Sequence, residues 1–421
     1  MQKKMISLSK KLLTVAFCFV FTCTLFSGEF TCQNAIRKLT FAQKAAAKFW
    51  TQEQVIKTNG GFHIWFDAAG NKLPEPADWG NPLAENLRLF YAISSAYNEC
   101  NDPAEKARIK KMIDHGIEYF ISRRAAGNGF FPNKEKFDDV RRCVRQVNAV
   151  NMIADAAIFS QDKRSADFAK SLFDEVYSKY HDNDKGGFFE RLPDECPPER
   201  YKRLETQLLA ALAINSLYKL FPSEDLKTKL QEMFKVITTP AMYHSSGLPY
   251  EWLKPDFSYL PGKRSSDDVH YGHAAEAGWI IYEVSQTLEI PDTEVKNILA
   301  AMAETLLRDG ADKNGAARML GSHVNGVPDG EFIPYWWNNL ELMNFSLCYY
   351  KVSGDKRFLD YYFKLGNFSF KNYPLPDGFW CQHPVRAKAK LYRGGVMGKS
   401  GWHLTHAARF QKELLKACLQ K

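Results

Sequence analysis

The sequence lacks closely spaced cysteines. Its 421 residues include nine cysteines, and no two of them form a Cys-x-x-Cys pair. Structural zinc sites and dense disulfide frameworks both depend on such spacing, so the sequence predicts neither. Cys18 and Cys23 lie within the first 28 residues. The other seven are odd in number and far apart, and their spacing fixes no pairing.

A concentrated block of positive charge is also absent beyond the N-terminus. The 56 Lys and Arg residues against 48 Asp and Glu give a net charge of +8, and basic residues are interleaved with acidic ones. A nucleic-acid-binding protein gathers its basic residues on one face, so the composition argues against a nucleic-acid partner. A mildly basic pocket for an anionic sugar is compatible with this charge.

The N-terminus carries the features of a secretory signal peptide. Four lysines within the first eleven residues precede an apolar run over 12–25, and Ser27-Gly28 offers small residues for cleavage. The run is short for a membrane-spanning helix, which favours a signal peptide over 1–28. An uncleaved N-terminal anchor is the alternative. We expect the body of the chain, 29–421, to be secreted or periplasmic, with no other membrane association.

Strand-like alternation is scarce in the body of the chain, whereas apolar residues recur at helical spacing. Periodicity, capping residues and Gly/Pro breaks predict about twelve helices. Their predicted ranges are 36–58, 83–99, 103–124, 141–159, 163–180, 201–220, 224–237, 270–288, 292–309, 335–352, 355–368 and 401–419.

The predicted connections alternate between long and short. Long loops rich in glycine and aromatic residues follow every second helix, which is typical of helical hairpins stacked side by side. Six such hairpins can close into an all-α toroid, with one ring of helices inside another. The long loops would then meet at one rim and form a pocket there.

The stretch that opens the helix over 270–288 carries the most chemistry. His273 and Glu276 are three residues apart, so they share one helix face. A carboxylate there can hold one ring nitrogen of the histidine and leave the other to transfer a proton near neutral pH. Gly272 removes a side chain just before His273, which predicts a close approach of a ligand. The alternative is an ordinary helix start with a satisfied histidine.

Three further motifs accompany this one, in order, across nearly the whole chain. With it they are Arg88-Leu-Phe-Tyr, Tyr271-Gly-His273-Ala-Ala-Glu276, Trp336-Trp337-Asn-Asn-Leu-Glu341 and Gly401-Trp402-His-Leu-Thr-His406-Ala-Ala-Arg409. Together they resemble the N-acylglucosamine 2-epimerase superfamily, which includes cellobiose 2-epimerases and aldose–ketose isomerases. The last motif has one residue fewer between Trp402 and His406 than the family pattern. The resemblance implies an (α/α)6 barrel with these residues in one pocket.

One position departs from the family pattern. The family carries another pocket histidine on the mid-chain helix, with a glutamate three residues later, and the matching positions here are Gln207 and Ala210. Glutamine can hydrogen-bond to a hydroxyl group but cannot titrate. We therefore expect Gln207 to contact the substrate and to affect which sugar is accepted.

The resemblance implies proton transfer at C2 of a reducing sugar. One histidine removes the C2 proton, and return of a proton to the opposite face gives the 2-epimer, whereas return to C1 gives a ketose. His273 and His406 are the predicted proton-transfer groups, with Glu276 and Glu341 as their respective partners. No metal or organic cofactor is required. Besides Glu341, the residues that we expect to bind the sugar are Arg88, Trp337, Arg409 and Gln207.

Two other functions are compatible with the same toroid. A glycoside hydrolase or lyase needs paired carboxylates, for which Asp267-Asp268 and Asp138-Asp139 are candidates. Acidic residues are also favoured just before a helix, so capping explains Asp267-Asp268 better. The second alternative is a non-catalytic sugar-binding relative, which the glutamine at position 207 favours. The partner in every case is a small carbohydrate, and the sequence leaves its identity and the oligomeric state open.

Overall fold

A computed structural model describes the fold over residues 30–419, apart from 59, 68, 75–82, 125–141, 193–199, 262–268, 322–334, 376 and 382–400. The predicted signal peptide and both candidate aspartate pairs lie outside the described residues. Within them the chain forms twelve α-helices: α1 Cys32–Trp50, α2 Leu83–Glu99, α3 Pro103–Arg123, α4 Cys143–Ser160, α5 Lys163–Tyr180, α6 Leu204–Leu220, α7 Glu224–Ile237, α8 Tyr271–Thr287, α9 Asp292–Asp309, α10 Trp336–Ser353, α11 Lys356–Asn372 and α12 His403–Leu419.

The helices form an (α/α)6 barrel, as the sequence predicts. The even-numbered helices pack side by side in chain order and form the inner ring, and the odd-numbered helices lie outside them. Close to the start of α12, Gly401 completes the ring against α2. A Cβ atom at Gly401 would lie 2.9 Å from the carbonyl oxygen of Arg88, so only glycine allows this approach.

The burial pattern distinguishes the two rings. In the inner helix α10 every residue from Trp336 through Tyr349 is buried, which requires partners on all sides. The outer helix α11 buries a single stripe, at Phe358, Tyr361, Tyr362, Leu365, Gly366, Ser369 and Phe370. This spacing of three and four residues places its charged side chains toward solvent.

Short turns join each inner helix to the next outer helix, and side-chain caps fix where four of the outer helices begin. Asp102, Asp162, Ser223 and Asp355 each accept a backbone N–H of the first turn that follows. The long connections all lead from an outer helix to the next inner one. They therefore meet at the rim where the inner helices begin, which agrees with the predicted alternation.

Two small antiparallel ribbons strengthen this rim. β1, Lys202–Arg203, pairs with β2, Trp252–Leu253, and β3, Val269–His270, pairs with β4, Leu320–Gly321. β1 and β3 lead directly into α6 and α8. The ribbons thus fix the entry of two inner helices to neighbouring connections.

Several predicted helix boundaries are wrong, among them the end of the first helix and the start of the helix with the histidine motif. The first helix ends at Trp50 rather than at 58, because the next residues form a 3-10 turn and a bridge between Ile56 and Phe62. The helix with the histidine motif begins at Tyr271, and its N-cap is His270, whose ring accepts a hydrogen bond from the N–H of His273.

A search of the described residues found no helix with both the length and the apolar character that a membrane span requires.

Candidate active site

The candidate site is built from the first two turns of the inner helices. His273 is the third residue of α8, Trp337 is the second of α10, and His403 is the first of α12. All three side chains therefore start at the rim where the long connections meet. Loop-lined rims of this kind are frequent binding sites because a rigid scaffold positions their side chains.

His273 pairs with a carboxylate from a loop. Its Nδ1 lies 2.9 Å from Oε1 of Glu251, which lies beside β2. Burial disfavours the charged imidazole, but the negative charges of Glu251, Glu205 and Glu276 outweigh it and raise the pKa of His273 to about 9. The ring is therefore protonated at neutral pH.

The predicted pairing of His273 with Glu276 is wrong. Glu276 is buried one turn further into the barrel, and its effect on His273 is through charge, whereas Glu251 reaches the Nδ1 atom from the rim. Glu251 is 22 residues away in the sequence, so helical spacing gave no indication of it.

Trp337 contacts both His273 and His403. The centroid of the Trp337 ring lies 5.7 Å from that of His273 and 5.2 Å from that of His403. The Trp337 ring also stacks on the ring of His270, and the two ring centroids are 5.1 Å apart. His273 and His403 therefore border one small region around the same indole.

Gly272 makes this arrangement possible. A Cβ atom at this position would lie 2.7 Å from the Trp337 ring and 2.9 Å from Oδ1 of Asn338. The glycine thus allows α8 to approach α10 closely. The sequence predicted a close approach at Gly272, and the group that uses it is the indole rather than a ligand.

The second histidine–carboxylate pair joins α12 to α10. Nδ1 of His403 lies 2.7 Å from Oε1 of Glu341, and both side chains are buried. The other oxygen of Glu341 accepts hydrogen bonds from Nε1 of Trp279 at 2.5 Å and from Nδ2 of Asn344 at 3.3 Å. Burial raises the pKa of Glu341 well above its ordinary value, and the charge of Glu276 raises it further.

Sequence reasoning missed His403. It assigned Glu341 to His406, three residues later on α12, and the structure places Glu341 on His403 instead. The one-residue shortfall between Trp402 and His406 indicated that His406 does not occupy the position that the motif predicts. It did not point to His403, which lies three residues further from that position.

His406 lies one turn deeper, among aromatic rings. Its ring centroid is 4.6 Å from Trp279, 5.5 Å from Trp402 and 5.5 Å from Phe410. Its Nδ1 atom is buried and has no hydrogen-bond partner among the described residues. Burial, followed by the charge of Arg409, lowers the pKa of His406 to about 3, so the ring is neutral.

The two predicted arginines take different positions. Arg88 donates to Oε1 of Glu85 on the same helix at 3.2 Å, beside the start of α12. Arg409 lies two turns into α12, with its guanidinium 4.9 Å from the Phe159 ring of α4. Arg88 is thus close to the rim, whereas Arg409 belongs to the interior below it.

The side chain of Gln207 is fully buried and hydrogen-bonds to the backbone of a loop. Its Oε1 accepts the N–H of Phe188 at 2.9 Å, and its Nε2 donates to the carbonyl oxygens of Phe188 at 2.7 Å and Arg203 at 3.3 Å. These bonds hold the connection between α5 and α6 against α6. The expected contact between Gln207 and a substrate is therefore not supported by its geometry.

Solved structures of sugar epimerases and isomerases share this fold. A cellobiose 2-epimerase from Bacillus thermoamylovorans superposes with a TM-score of 0.73 at 17% identity, over 91% of this chain and 99% of the other. A D-mannose isomerase gives 0.76 at 16% identity, over 89% and 97%. A GH76 α-mannanase of Bacteroides thetaiotaomicron is more distant, at 0.58 and 11% identity over 91% and 97%. These likenesses define the fold as an (α/α)6 barrel.

Sequence comparison gives the family within that class. The model of the N-acylglucosamine 2-epimerase (GlcNAc 2-epimerase) family matches residues 60–407, so the chain belongs to this family of isomerases. A cellobiose 2-epimerase of Bacteroides fragilis is 23% identical over 331 residues, which cover 73% of this chain and 80% of the relative. The resemblance seen in the four motifs is thereby confirmed.

Proposed function

We propose that the chain is a 2-epimerase of a reducing sugar and that His273 and His403 transfer the protons. The observation that carries this proposal is the pair of imidazoles around Trp337, each with its Nδ1 on a carboxylate. Such a pairing orients the ring and fixes its tautomer, as proton transfer by a histidine requires. Epimerisation at C2 needs one group that takes a proton and one that gives a proton from the opposite face.

The electrostatics of the two pairs support different starting roles. His273 is protonated at neutral pH because carboxylates raise its pKa to about 9, so it is the group that gives a proton. Burial and the charge of Glu276 raise the pKa of Glu341, the carboxyl partner of His403. In this proposal His403 is the base that removes the C2 proton and forms the enediolate. For the reverse reaction the roles exchange.

The remaining residues bind and orient the sugar in this proposal. Trp337 offers an aromatic face in contact with both histidines, which suits stacking on a sugar. Arg88, close to the rim, supplies positive charge for the oxyanion that develops on the enediolate. Gln207 and Arg409 act indirectly, through the loop at Phe188 and the interior below the site.

The reaction type is tested by incubating the purified chain with a panel of mono- and disaccharide reducing sugars in deuterium oxide, followed by NMR. The expected product is the 2-epimer with deuterium at C2. A ketose with label at C1 would instead show an aldose–ketose isomerase. Release of a free sugar from a glycoside would favour the hydrolase, and binding without any conversion would favour a sugar-binding relative.

We also propose that the chain is exported. Four lysines followed by the apolar run over 12–25 support this, because they have the form of a secretory signal. Expression of the full-length chain followed by fractionation and N-terminal sequencing tests it. Cleavage near residue 28 in the periplasm or medium is expected, whereas an intact N-terminus in the cytosolic fraction would contradict export.

A further inference from the structure

The first and last helices meet at the rim opposite the candidate active site. α1 begins at Cys32 and packs against α12, which ends one residue after Cys418. The two helices run antiparallel, because Trp50 at the end of α1 contacts Phe379 in the connection that leads to α12, with ring centroids 5.5 Å apart. The start of α1 and the end of α12 therefore lie at the same rim.

Tyr362 of α11 contacts both terminal segments, near the start of α1 and in the second half of α12. Its hydroxyl donates to Oε1 of Gln411 of α12 at 3.2 Å, and its ring centroid is 5.5 Å from that of Phe30, two residues before Cys32. Burial raises the pKa of Tyr362, and the neighbouring Cys32 and Cys418 raise it further. Both cysteines are therefore near the same phenol.

The two cysteines are also neighbours of each other. Both are half-buried and carry thiols. Burial raises the pKa of Cys32, and Cys418 is the next largest cause of this rise. Their partial exposure allows a small oxidant to reach them, unlike the buried Cys143 and Cys348 of the inner helices.

We propose that Cys32 and Cys418 are a redox pair that forms a disulfide between α1 and α12 on exposure to a disulfide oxidant such as oxidised glutathione. One cysteine loses its proton to solvent and attacks the oxidant, which releases one glutathione thiolate and leaves a mixed disulfide. The thiolate of the second cysteine then displaces the other glutathione. Two protein thiols are oxidised, and the one disulfide of the oxidant becomes two thiols.

The bridge would fasten the two terminal helices of the ring to each other. A crosslink between residues so distant in sequence restricts the unfolded chain strongly, which stabilises the fold. This inference does not depend on the sugar chemistry. If the chain is exported, as proposed above, the pair would meet an oxidising compartment.

The full-length chain, equilibrated with oxidised glutathione, is alkylated, digested without reduction and mapped by mass spectrometry. We expect a peptide that joins Cys32 to Cys418, and a Tm on the order of 5 °C above that of the chain reduced with dithiothreitol. Cys32→Ser and Cys418→Ser should each abolish both results. Cys100→Ser removes the other half-buried cysteine of the described residues and should preserve both.

Two outcomes would overturn the proposal. Alkylation or separate glutathionylation of the two cysteines, without a joined peptide, would show that they do not pair. A joined peptide with an unchanged Tm would show that the bridge does not fasten the ring. Because the assay uses the purified chain, neither outcome depends on export or on sugar turnover.

Discussion

His403 and His406 lie one turn apart on α12, yet their surroundings differ. His403, at the rim, has its Nδ1 on the carboxylate of Glu341, whereas the Nδ1 of His406 is buried without a partner among the described residues. An imidazole that is hydrogen-bonded to a carboxylate can accept a positive charge. His406 lacks such a partner among the described residues, and burial lowers its pKa to about 3, so its ring is neutral. A depth difference of one helical turn thus separates the proposed proton-transfer group from a histidine that packs among aromatic rings.

The rim and the deeper interior of the barrel also differ in which polar groups pair with each other. At the rim, carboxylates meet histidines and a tryptophan. Below it, Asp155 accepts a hydrogen bond from Ser216 at 2.6 Å, and Lys219 donates to Glu283 at 3.0 Å. These deeper side chains hydrogen-bond to one another and thereby join neighbouring inner helices.

The largest expected effect comes from His273→Asn. It removes the protonated imidazole while an amide group of similar shape preserves packing, and a positioned acid or base contributes roughly 100- to 10,000-fold in rate. Turnover should fall by at least the lower figure, measured as deuterium incorporation at C2 on a sugar that the wild type converts. An unchanged circular dichroism spectrum is the control for folding, and a loss under tenfold would remove His273 from the mechanism.

Two deeper residues, His406 and Asp155, should contribute to stability with opposite pH dependence. The pKa of His406 is about 3 in the fold and 6.5 ordinarily, so its neutral form stabilises the fold fully above pH 6.5 and less as pH falls. Asp155 has the opposite sign, because burial raises its pKa from 3.8 to about 6 and stability rises as pH falls through that range. The two contributions largely offset each other between pH 6 and pH 4.

Substitution of either deeper residue should expose the contribution of the other. When the pH is lowered from 8 to 4, the free energy of unfolding of His406→Asn should increase by on the order of 3 kcal/mol relative to that of the wild type. That of Asp155→Asn should decrease by on the order of 2 kcal/mol relative to the wild type. Denaturant unfolding at both pH values measures the change. Parallel pH dependence in all three proteins would contradict the assigned surroundings of His406.

Gly272→Ala tests how closely the two helices of the site must approach. The added methyl group would meet the Trp337 ring at 2.7 Å, so we expect a loss of about 1–3 kcal/mol in the free energy of unfolding. Trp337→Phe in the same chain leaves more room and should recover part of that loss. Strictly additive effects of the two substitutions would show that the close contact is not what requires glycine.

The smallest expected effect is a shift of the pH profile in Glu251→Gln. Without that carboxylate, the pKa of His273 should fall from about 9, so the alkaline limb of activity moves to lower pH. We expect about a tenfold loss at pH 8 and much less at pH 6. Glu276→Gln is the matched control with a smaller shift, and a larger shift for Glu276→Gln would restore the pairing predicted from the sequence.

The fold could be predicted from the sequence because its determinants are local. Helical spacing, capping residues such as Asp102 and Asp162, and the alternation of long and short connections all act within a few residues. The end of α1 was misplaced because pairing of Ile56 with Phe62 overrides a helical pattern there. The spacing of apolar residues does not reveal such a bridge between two segments of a loop.

The site was predicted less completely because its pairings join distant segments. Helical spacing indicated Glu276 for His273, but the loop residue Glu251 makes the contact. The choice between His403 and His406 depends on which of them reaches Glu341 across the interface of α10 and α12. Only the packing of those two helices decides this, and the spacing from Trp402 does not reveal it.

The central claim is that His403, rather than His406, transfers a proton at C2. The most direct test compares deuterium incorporation at C2 by His403→Asn and His406→Asn on the same sugar, at pH 7.5, with folding checked for both. We predict a loss of at least about a hundredfold for His403→Asn and of less than about tenfold for His406→Asn. The reverse order would contradict the account and return the role to His406.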